Sequence, residues 1–256
     1  MKHILKHNYS DSVLVTLADK NYVKQAKQLF SSVYWNAGWS GDYLLLSHEI
    51  PEKELLWFRK KGIIVFKCKP LWKEKYYGGM SSAVLDKFYL FTPYFKKWKH
   101  IIFLDADIIV KASLQDLTKK TGMNAVYNTP LKTKVLGNTK LDSPELRGYD
   151  MNSSGFNCGV LAIDTDIITS GTFKDLRNMI KKYSRVAYWG EELLINLYFY
   201  KKCSRLPRQY NMITPHATEK TQRIVQKKIK KLLETRAIII HSAGNSFRLW
   251  EKGNIT

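Results

Sequence analysis

The stretch "HIIFLDADIIV", residues 100–110, governs how the rest of the chain is interpreted. An apolar run from Ile101 to Leu104 leads directly into Asp105 and Asp107, and a second apolar run follows. Two close carboxylates resist joint ionisation unless a cation lies between them, and hard carboxylate oxygens suit Mg²⁺ or Mn²⁺. The stretch therefore predicts a buried strand that ends in a metal site. For this motif alone, two solvated turn residues after a strand are the alternative.

Strands and helices alternate in the residues before this stretch. The alternation implies an α/β fold with one mostly parallel, doubly wound sheet, at whose carboxyl edge ligands collect. Pro51 and Gly62 are expected at the start and just past the end of the second helix. The predicted strands are 13–17, 41–47, 63–68 and the one that ends at Asp105, and the predicted helices are 23–33, 51–61 and 81–91.

The second half of the chain is less regular. Residues 129–155 form a long polar stretch, which indicates a lid or an acceptor-facing loop. Strands are predicted at 156–164 and 237–241, and helices at 172–183 and 189–202. We expect a single domain over residues 1–256, with a nucleotide-binding half at about 10–110 and an acceptor and catalytic half at about 111–256.

The amino-acid composition limits the classes of protein to which the chain can belong. The 256 residues are 45% hydrophobic, which excludes a disordered chain. There is no apolar run of the roughly 18 residues that would span a bilayer, and the first residues lack the apolar block of a secretory signal. Cys68, Cys158 and Cys203 are widely spaced, which argues against a disulfide scaffold or a zinc knuckle and favours a reducing compartment. We therefore expect a cytoplasmic protein, and a homodimer is left open.

The charge of the chain is strongly positive. Lys and Arg total 42 against 22 acidic residues, for a net charge of +20. Such a field attracts nucleic acid, anionic lipid or phosphorylated small molecules, and nucleic acid is the weakest of these three alternatives. Residues 221–236, "TQRIVQKKIKKLLETR", predict a basic helix with one apolar side. This helix is a candidate for peripheral contact with an anionic membrane, and packing of its apolar side on the core is the alternative.

A third candidate metal ligand lies near the end of the chain. In "AIIIHSAG", residues 237–244, a buried strand ends in His241. An imidazole beside two carboxylates suits Mn²⁺ better than Mg²⁺, which prefers oxygen ligands and water. Taken alone, His241 could equally be a histidine satisfied within the core. Together with the two aspartates it predicts a site with Asp105, Asp107 and His241 as ligands.

Several motifs, taken in order, resemble glycosyltransferase family 8, which includes the glycogenins and bacterial lipopolysaccharide galactosyltransferases. They are "LADKNY", "FLDADIIV", "FNCGVLAID", "WGEELLIN", "RLPRQYNM" and "HSAGNSFRLW", and they cover nearly the whole chain. The resemblance implies a GT-A fold, a UDP-sugar donor, Mn²⁺ with Mg²⁺ as the alternative, and transfer with retention at the anomeric carbon. UDP-glucose or UDP-galactose is favoured and UDP-N-acetylglucosamine is open. The acceptor hydroxyl could belong to a glycan, a protein or a lipid-linked molecule.

The resemblance also implies which residues contact the donor. Tyr22 would stack on the uracil, Lys87 would place a positive charge near the donor, and Arg248 would grip the diphosphate. From the residues alone, Tyr22 could be a core residue at a helix start and Lys87 a solvated lysine. The implied nucleotide- and sugar-binding set is Leu17, Ala18, Asp19, Asn21, Tyr22, Lys87, Asp105, Ala106, Asn157, Gly159, Gly244 and Arg248.

The chain departs from the family pattern at two places. Glu191 and Glu192 stand where the family usually has Asp-Gln, so a carboxylate replaces the amide near the reacting face. That carboxylate could stabilise an oxocarbenium-like transition state or attack it, and we take both glutamates as candidate catalytic residues. Alternatively they only complement a helix dipole, worth about 0.3–1 kcal/mol each. At the second place, the family's Gly-x-x-Lys-Pro-Trp becomes residues 244–250, where Arg248 supplies the basic side chain.

Other classes of protein share parts of this pattern. Haloacid-dehalogenase-like phosphatases also end an apolar strand in Asp-x-Asp, but their motif opens the chain and continues with Gly-Thr, whereas Ile108 and Ile109 follow here. A catalytically degenerate family member is a second alternative, because of the two departures. A basic protein that binds anionic membranes or nucleic acid is the third.

Overall fold

The computed structural model describes residues 10–135, 140–214 and 236–243. The strands in these ranges are β1 (Ser12–Ala18), β2 (Asp42–His48), β3 (Ile64–Cys68), β4 (Tyr76–Tyr77), β5 (Met80–Ser81), β6 (His100–Leu104), β7 (Ile108–Val110), β8 (Met123–Pro130), β9 (Ser154–Asp164), β10 (Cys203–Arg205), β11 (Met212–Ile213) and β12 (Ile239–His241). The α-helices in these ranges are α1 (Val23–Asn36), α2 (Glu52–Lys60), α3 (Thr172–Tyr183) and α4 (Glu191–Tyr198).

The central sheet has seven strands in the order β10-β8-β9-β6-β1-β2-β3. The pairs β6–β1, β1–β2, β2–β3 and β10–β8 are parallel, whereas β9 runs antiparallel to both of its neighbours. The predicted α/β fold with a mostly parallel central sheet is therefore confirmed. Both halves of the chain contribute strands to this one sheet, since β8, β9 and β10 follow residue 111.

The core lies on both faces of the sheet, because successive side chains of a strand point to opposite faces. Val13 and Val15 of β1 pack in one cluster with the side chains of α3 and α4, and Leu14 packs in the other with α1 and α2. Gly62, just past the end of α2, has a φ of 75°, the left-handed conformation expected at a helix C-terminus.

A second, smaller sheet carries the end of the described chain. Its strand order is β11-β12-β7, with β12 antiparallel to β7 and parallel to β11. Since β7 follows β6 after a three-residue turn, this sheet brings residues 239–241 to the carboxyl end of β6. That is the edge at which ligands gather in parallel α/β sheets.

Three elements differ from the sequence-based expectations. The segment Ser82–Phe91 is a 3₁₀ helix rather than an α-helix, and its polar residues Asp86 and Lys87 are buried, although an amphipathic pattern would expose them. Strand β8 was not predicted, because its run of consecutive apolar residues is short and its last three residues are polar or proline. The expected long loop over 129–155 is interrupted by two short 3₁₀ helices in its described part, Leu131–Lys134 and Pro144–Leu146.

Two further expectations concern the class of protein. Among the described residues no helix has the length and apolar character that crossing a membrane requires. The three cysteines are free, as the wide spacing of Cys68, Cys158 and Cys203 predicts.

Candidate active site

Asp105 and Asp107 lie in the turn between the two sheets. The main-chain ladder continues one step beyond β6, because the Asp105 N–H donates to the carbonyl of Gly159 at 2.8 Å. Ala106 is buried, and the chain then turns into β7. The two carboxylates thus converge because a turn between β6 and β7 folds them together.

His241 reaches the two acids through the smaller sheet. In the pairing of β12 with β7 it lies opposite Ile108, and the Ser242 N–H donates to the carbonyl of Asp107 at 3.0 Å. The His241 Nε2 atom is 3.2 Å from Asp107 Oδ1 and 3.8 Å from Asp105 Oδ2. One ligand atom from each of the three residues lies within 4.8 Å of the other two. The structure therefore brings together the three predicted metal ligands.

Asn211 determines how the imidazole faces. Its Oδ1 is 2.9 Å from His241 Nδ1, so Nδ1 carries the proton and donates it to the amide oxygen. The Nε2 lone pair then points toward Asp105 and Asp107. Metal-binding histidines in proteins are commonly held in this way, by a hydrogen bond from the nitrogen that does not bind the ion.

Gly159 makes room for this imidazole. A Cβ atom at residue 159 would lie 2.2 Å from Cε1 of His241, which no side chain could tolerate without displacing the ring. Asn157, two residues earlier on β9, accepts hydrogen bonds on Oδ1 from the Gly159 N–H at 2.9 Å and from Asn211 Nδ2 at 2.7 Å. The two sugar-site residues predicted on β9 therefore lie beside the imidazole.

Lys87 is a buried cation at the centre of the site, only 2% exposed. Its Nζ lies 3.1 Å from Asp105 Oδ1 and 2.5 Å from Glu191 Oε1, and it donates to the carbonyl of Cys158 at 3.1 Å. Burial favours the neutral amine, but the carboxylates of Asp105 and Glu191 outweigh it and raise the pKa of Lys87. The interpretation of Lys87 as a solvated lysine is therefore wrong.

The two glutamates begin α4 but face different partners. Glu191 is buried against Lys87, and burial raises its pKa to about 7 despite that cation. Glu192 is held by three donors. It accepts hydrogen bonds on Oε2 from Asn157 Nδ2 at 2.9 Å and from the Cys158 N–H at 3.2 Å, and it pairs on Oε1 with the ammonium of Lys134. Neither glutamate therefore serves only to complement the helix dipole.

Charge in the cluster favours an additional cation. Burial raises the pKa of Asp105, although Lys87 and His241 oppose it. Burial works to lower the pKa of His241, but the carboxylates of Asp107 and Asp105 outweigh it and raise the pKa. Both groups thus hold protons more tightly than they would in water. A site of this kind can exchange protons for a metal ion.

The predicted nucleotide-binding turn follows β1. The Asp19 carboxylate accepts hydrogen bonds from the N–H groups of Asn21 at 2.8 Å and Tyr22 at 3.2 Å, which closes the turn that starts α1. Tyr22 is half-buried and packs against the core cluster under α1. Leu17 is half-buried and Ala18 is buried at the end of the strand. The turn lies at the same edge of the sheet as Asp105, because β1 pairs in parallel with β6.

Two residues of the site were missed in the sequence. Lys134 lies in a polar stretch with other lysines nearby, and nothing in its spacing distinguishes it from a solvated side chain. Asn211 lies within the "RLPRQYNM" motif. That motif marked the segment as part of the family pattern, but it did not indicate that Asn211 orients His241. Two predicted residues, Gly244 and Arg248, lie outside the described residues, as does the basic segment 221–235.

Solved glycosyltransferase structures resemble this fold. The WbbM bifunctional glycosyltransferase superposes with a TM-score of 0.66 at 14% identity, over 94% of this chain and 47% of that one. The galactosyltransferase LgtC, in complex with donor and acceptor sugar analogues, gives 0.64 at 16% identity, over 91% and 87%. GlyE from Streptococcus pneumoniae TIGR4 gives 0.62 at 21% identity, over 94% and 56%. The fold is thus GT-A, and the chain spans about half the length of WbbM and GlyE.

Sequence comparison gives the family. No curated protein sequence matches the chain significantly. The family model described as glycosyl transferase family 8 matches residues 13–252. This match accounts for the ordered motifs and replaces the phosphatase alternative. Since it spans nearly the whole sequence, the chain belongs to glycosyl transferase family 8.

Proposed function

We propose that this glycosyltransferase transfers a hexose from a UDP-sugar to an acceptor hydroxyl, with a divalent cation held by Asp105, Asp107 and His241, and with retention at the anomeric carbon. Mn²⁺ is the favoured ion and Mg²⁺ the alternative. UDP-glucose or UDP-galactose is the favoured donor. The three free cysteines favour a cytoplasmic location, where thiols stay reduced.

The observation that carries this proposal is the convergence of the two carboxylates and one imidazole from distant parts of the chain. The donor set fits Mn²⁺, because two hard oxygen ligands are joined by an imidazole nitrogen whose lone pair faces them. The hydrogen bond from His241 Nδ1 to Asn211 fixes the tautomer that such a ligand needs. A divalent ion in this position would neutralise the charge that develops on a leaving diphosphate.

Lys87 is proposed to support the same charge. Its ammonium is already in place, buried and held by Asp105 and Glu191. A preorganised cation in a site away from water stabilises developing negative charge without costly reorganisation. Arg248, which lies outside the described residues, is proposed to bind the diphosphate of the donor.

Glu192 is proposed as the residue closest to the reacting sugar face. Its carboxylate is oriented by Lys134, Asn157 and the Cys158 N–H, so it would stay fixed while a positive charge grows on the sugar ring. It could stabilise that charge during front-face transfer or form a covalent intermediate, and both routes retain configuration. Glu191 is proposed to hold sugar hydroxyls beside Lys87.

The nucleotide is proposed to lie between the turn after β1 and the metal ligands. Leu17, Ala18, Asp19 and Asn21 would contact uracil and ribose, Tyr22 would stack on the base, and Ala106, Asn157, Gly159 and Gly244 would complete the donor site. LgtC, which shares the fold, is known in complex with donor and acceptor sugar analogues, and this supports a sugar acceptor here. A glycan, a protein or a lipid-linked acceptor would all present the required hydroxyl.

Hydrolysis of a panel of UDP-sugars with Mn²⁺ tests the proposal. We expect Asp107→Asn to lower kcat about 100-fold or more, because the site loses a charged ligand. Asp116→Asn is the matched control, since Asp116 is an exposed aspartate that pairs with Lys119 on the surface. The circular dichroism spectra of both variants should equal that of the wild type. Undiminished, metal-dependent turnover in Asp107→Asn would remove the metal site from the proposal.

A further inference from the structure

The edge of the central sheet opposite the proposed donor site carries exposed lysines and two exposed aromatic side chains. The donor site lies at the carboxyl ends of β1 and β6, where Asp19 and Asp105 follow the strands. The amino ends of the parallel strands lie at the other edge, and α1 and α2 both end there because each leads into the next strand. This edge is called the amino edge below.

Lysines lie at the amino edge because the segments before β3, β6, β8 and β10 each carry at least two of them. The sheet register places the segments before β3, β6, β8 and β10 at this edge. Several of its acidic groups already have partners: Asp164 and Asp166 pair with Lys99, and Asp42 accepts a hydrogen bond from Trp98. Exposed or half-exposed lysines at this edge include Lys60, Lys61, Lys96, Lys120, Lys201 and Lys202.

Two large aromatic side chains stand out from the same edge. Trp35 is 78% exposed and Tyr34 is 65% exposed, in the last turn of α1. Their rings contact each other edge to face with centroids 5.0 Å apart. The helix end itself is firmly held, because Asn36 Nδ2 donates to the carbonyl of Val110 at 2.7 Å. The two rings thus stand on a rigid helix end, at the same edge of the sheet as the lysines, and this helix end is not a frayed terminus.

From these observations we infer that the amino edge docks the protein on an anionic lipid surface, with Trp35 and Tyr34 at the lipid–water interface. Tryptophan and tyrosine favour that interface because one side of each ring is apolar and the other carries a polar group. Lysines nearby gain from the negative surface potential of anionic lipids. The net charge of +20 adds long-range attraction of the same sign. The donor site, at the opposite edge, then faces away from the lipid.

Co-sedimentation of the full chain with vesicles tests this inference. One set of vesicles contains phosphatidylcholine alone, and the other contains equal parts phosphatidylcholine and phosphatidylglycerol. We expect binding only to the second set, weakened by added salt. Lys60→Glu/Lys61→Glu should lower the partition coefficient at least about tenfold, and Trp35→Ala should cause a further loss, measured also as lost quenching of tryptophan fluorescence by brominated lipid.

The matched control uses the other ends of the same two helices. Lys24 and Lys53 are exposed in the first turns of α1 and α2, at the carboxyl edge, and Lys24→Glu/Lys53→Glu changes the net charge by the same amount. This control should retain nearly all of the binding. Equal losses in both double variants, or no sedimentation at low salt, would overturn the inference. So would binding to a single-stranded RNA without binding to vesicles. Vesicle binding requires no turnover, so its outcome is independent of the proposed activity.

Discussion

At the scale of single residues, a chain of amide hydrogen bonds links the imidazole of the candidate metal site to Glu192. His241 donates to Asn211, Asn211 donates to Asn157, and Asn157 donates to Glu192. Each side chain in this chain fixes the direction of the next. Substitution of Asn211 or Asn157 should therefore alter the orientation of both the His241 imidazole and the Glu192 carboxylate.

Asn211→Ala is expected to weaken Mn²⁺ binding about 10–100-fold, because His241 loses the acceptor that orients it. Titration calorimetry with Mn²⁺ measures the dissociation constant directly. Asn124→Ala is the control: Asn124 is also buried, but its Nδ2 donates to the carbonyl of Thr121 at the amino edge. It should cost stability and leave the Mn²⁺ affinity unchanged. Equal affinities for wild type and Asn211→Ala would show that Asn211 does not orient the ligand.

At the scale of elements, the 3₁₀ helix Ser82–Phe91 holds two adjacent buried charged residues, Asp86 and Lys87, which face different partners. Lys87 faces the metal ligands, and the fully buried Asp86 faces His48 at the end of β2, with Oδ2 2.7 Å from His48 Nδ1. The Leu71 N–H also donates to Asp86 at 3.2 Å. The His48–Asp86 pair therefore anchors the segment that positions Lys87.

This anchor should make stability depend on pH. The hydrogen bond to Asp86 raises the pKa of His48 above 6.5, and burial raises the pKa of Asp86 although His48 opposes it. Both groups bind protons more tightly in the folded state, so stability falls as pH rises. The contribution of His48 is complete below about pH 6.5 and is lost as pH rises through its folded-state pKa.

The test is urea unfolding of the wild type and His48→Gln at several pH values from 6 upward. The decline in the free energy of unfolding should be shallower in His48→Gln, because one of the groups that causes it is gone. His100→Gln, at the amino edge, controls for the loss of a histidine as such. Parallel curves for the wild type and His48→Gln would contradict the assignment.

At the scale of the whole molecule, the candidate site is assembled from segments far apart in the chain. Asp105 and Asp107 come from the turn after β6, Glu192 from the start of α4, and His241 from the last described strand. A ligand that bridges these segments therefore stabilises the folded chain as a unit, since the unfolded chain offers no such site.

Mn²⁺ together with UDP is expected to raise the melting temperature. At one hundred times the dissociation constant, binding adds about 2.7 kcal/mol, which for a chain of this size corresponds to about 5–10 °C. Differential scanning calorimetry measures the shift, and a chelator should abolish it. Asp107→Asn should show little of it, whereas Asp116→Asn should match the wild type. No shift at saturating concentrations would count against a metal–nucleotide site.

Some features were determined by the sequence alone, because they depend on local patterns. The period of apolar residues predicted β1, β2, α1 and α3 within a few residues, and strand ends marked Asp105 and His241 as candidate ligands. Ordered motifs indicated the family, which the family model confirms. The hydrophobic pattern of a strand or helix lies within its own segment, so it can be recognised without knowledge of the rest of the chain.

Only the tertiary structure decided how these parts meet. The antiparallel insertion of β9, the pairing of β12 with β7, and the burial of Lys87, Lys134 and Asp86 all depend on contacts between residues far apart in sequence. A lysine looks the same in the sequence whether it is solvated or paired inside the protein. Its environment is set by the strands and helices packed around it, and that packing is a property of the whole fold.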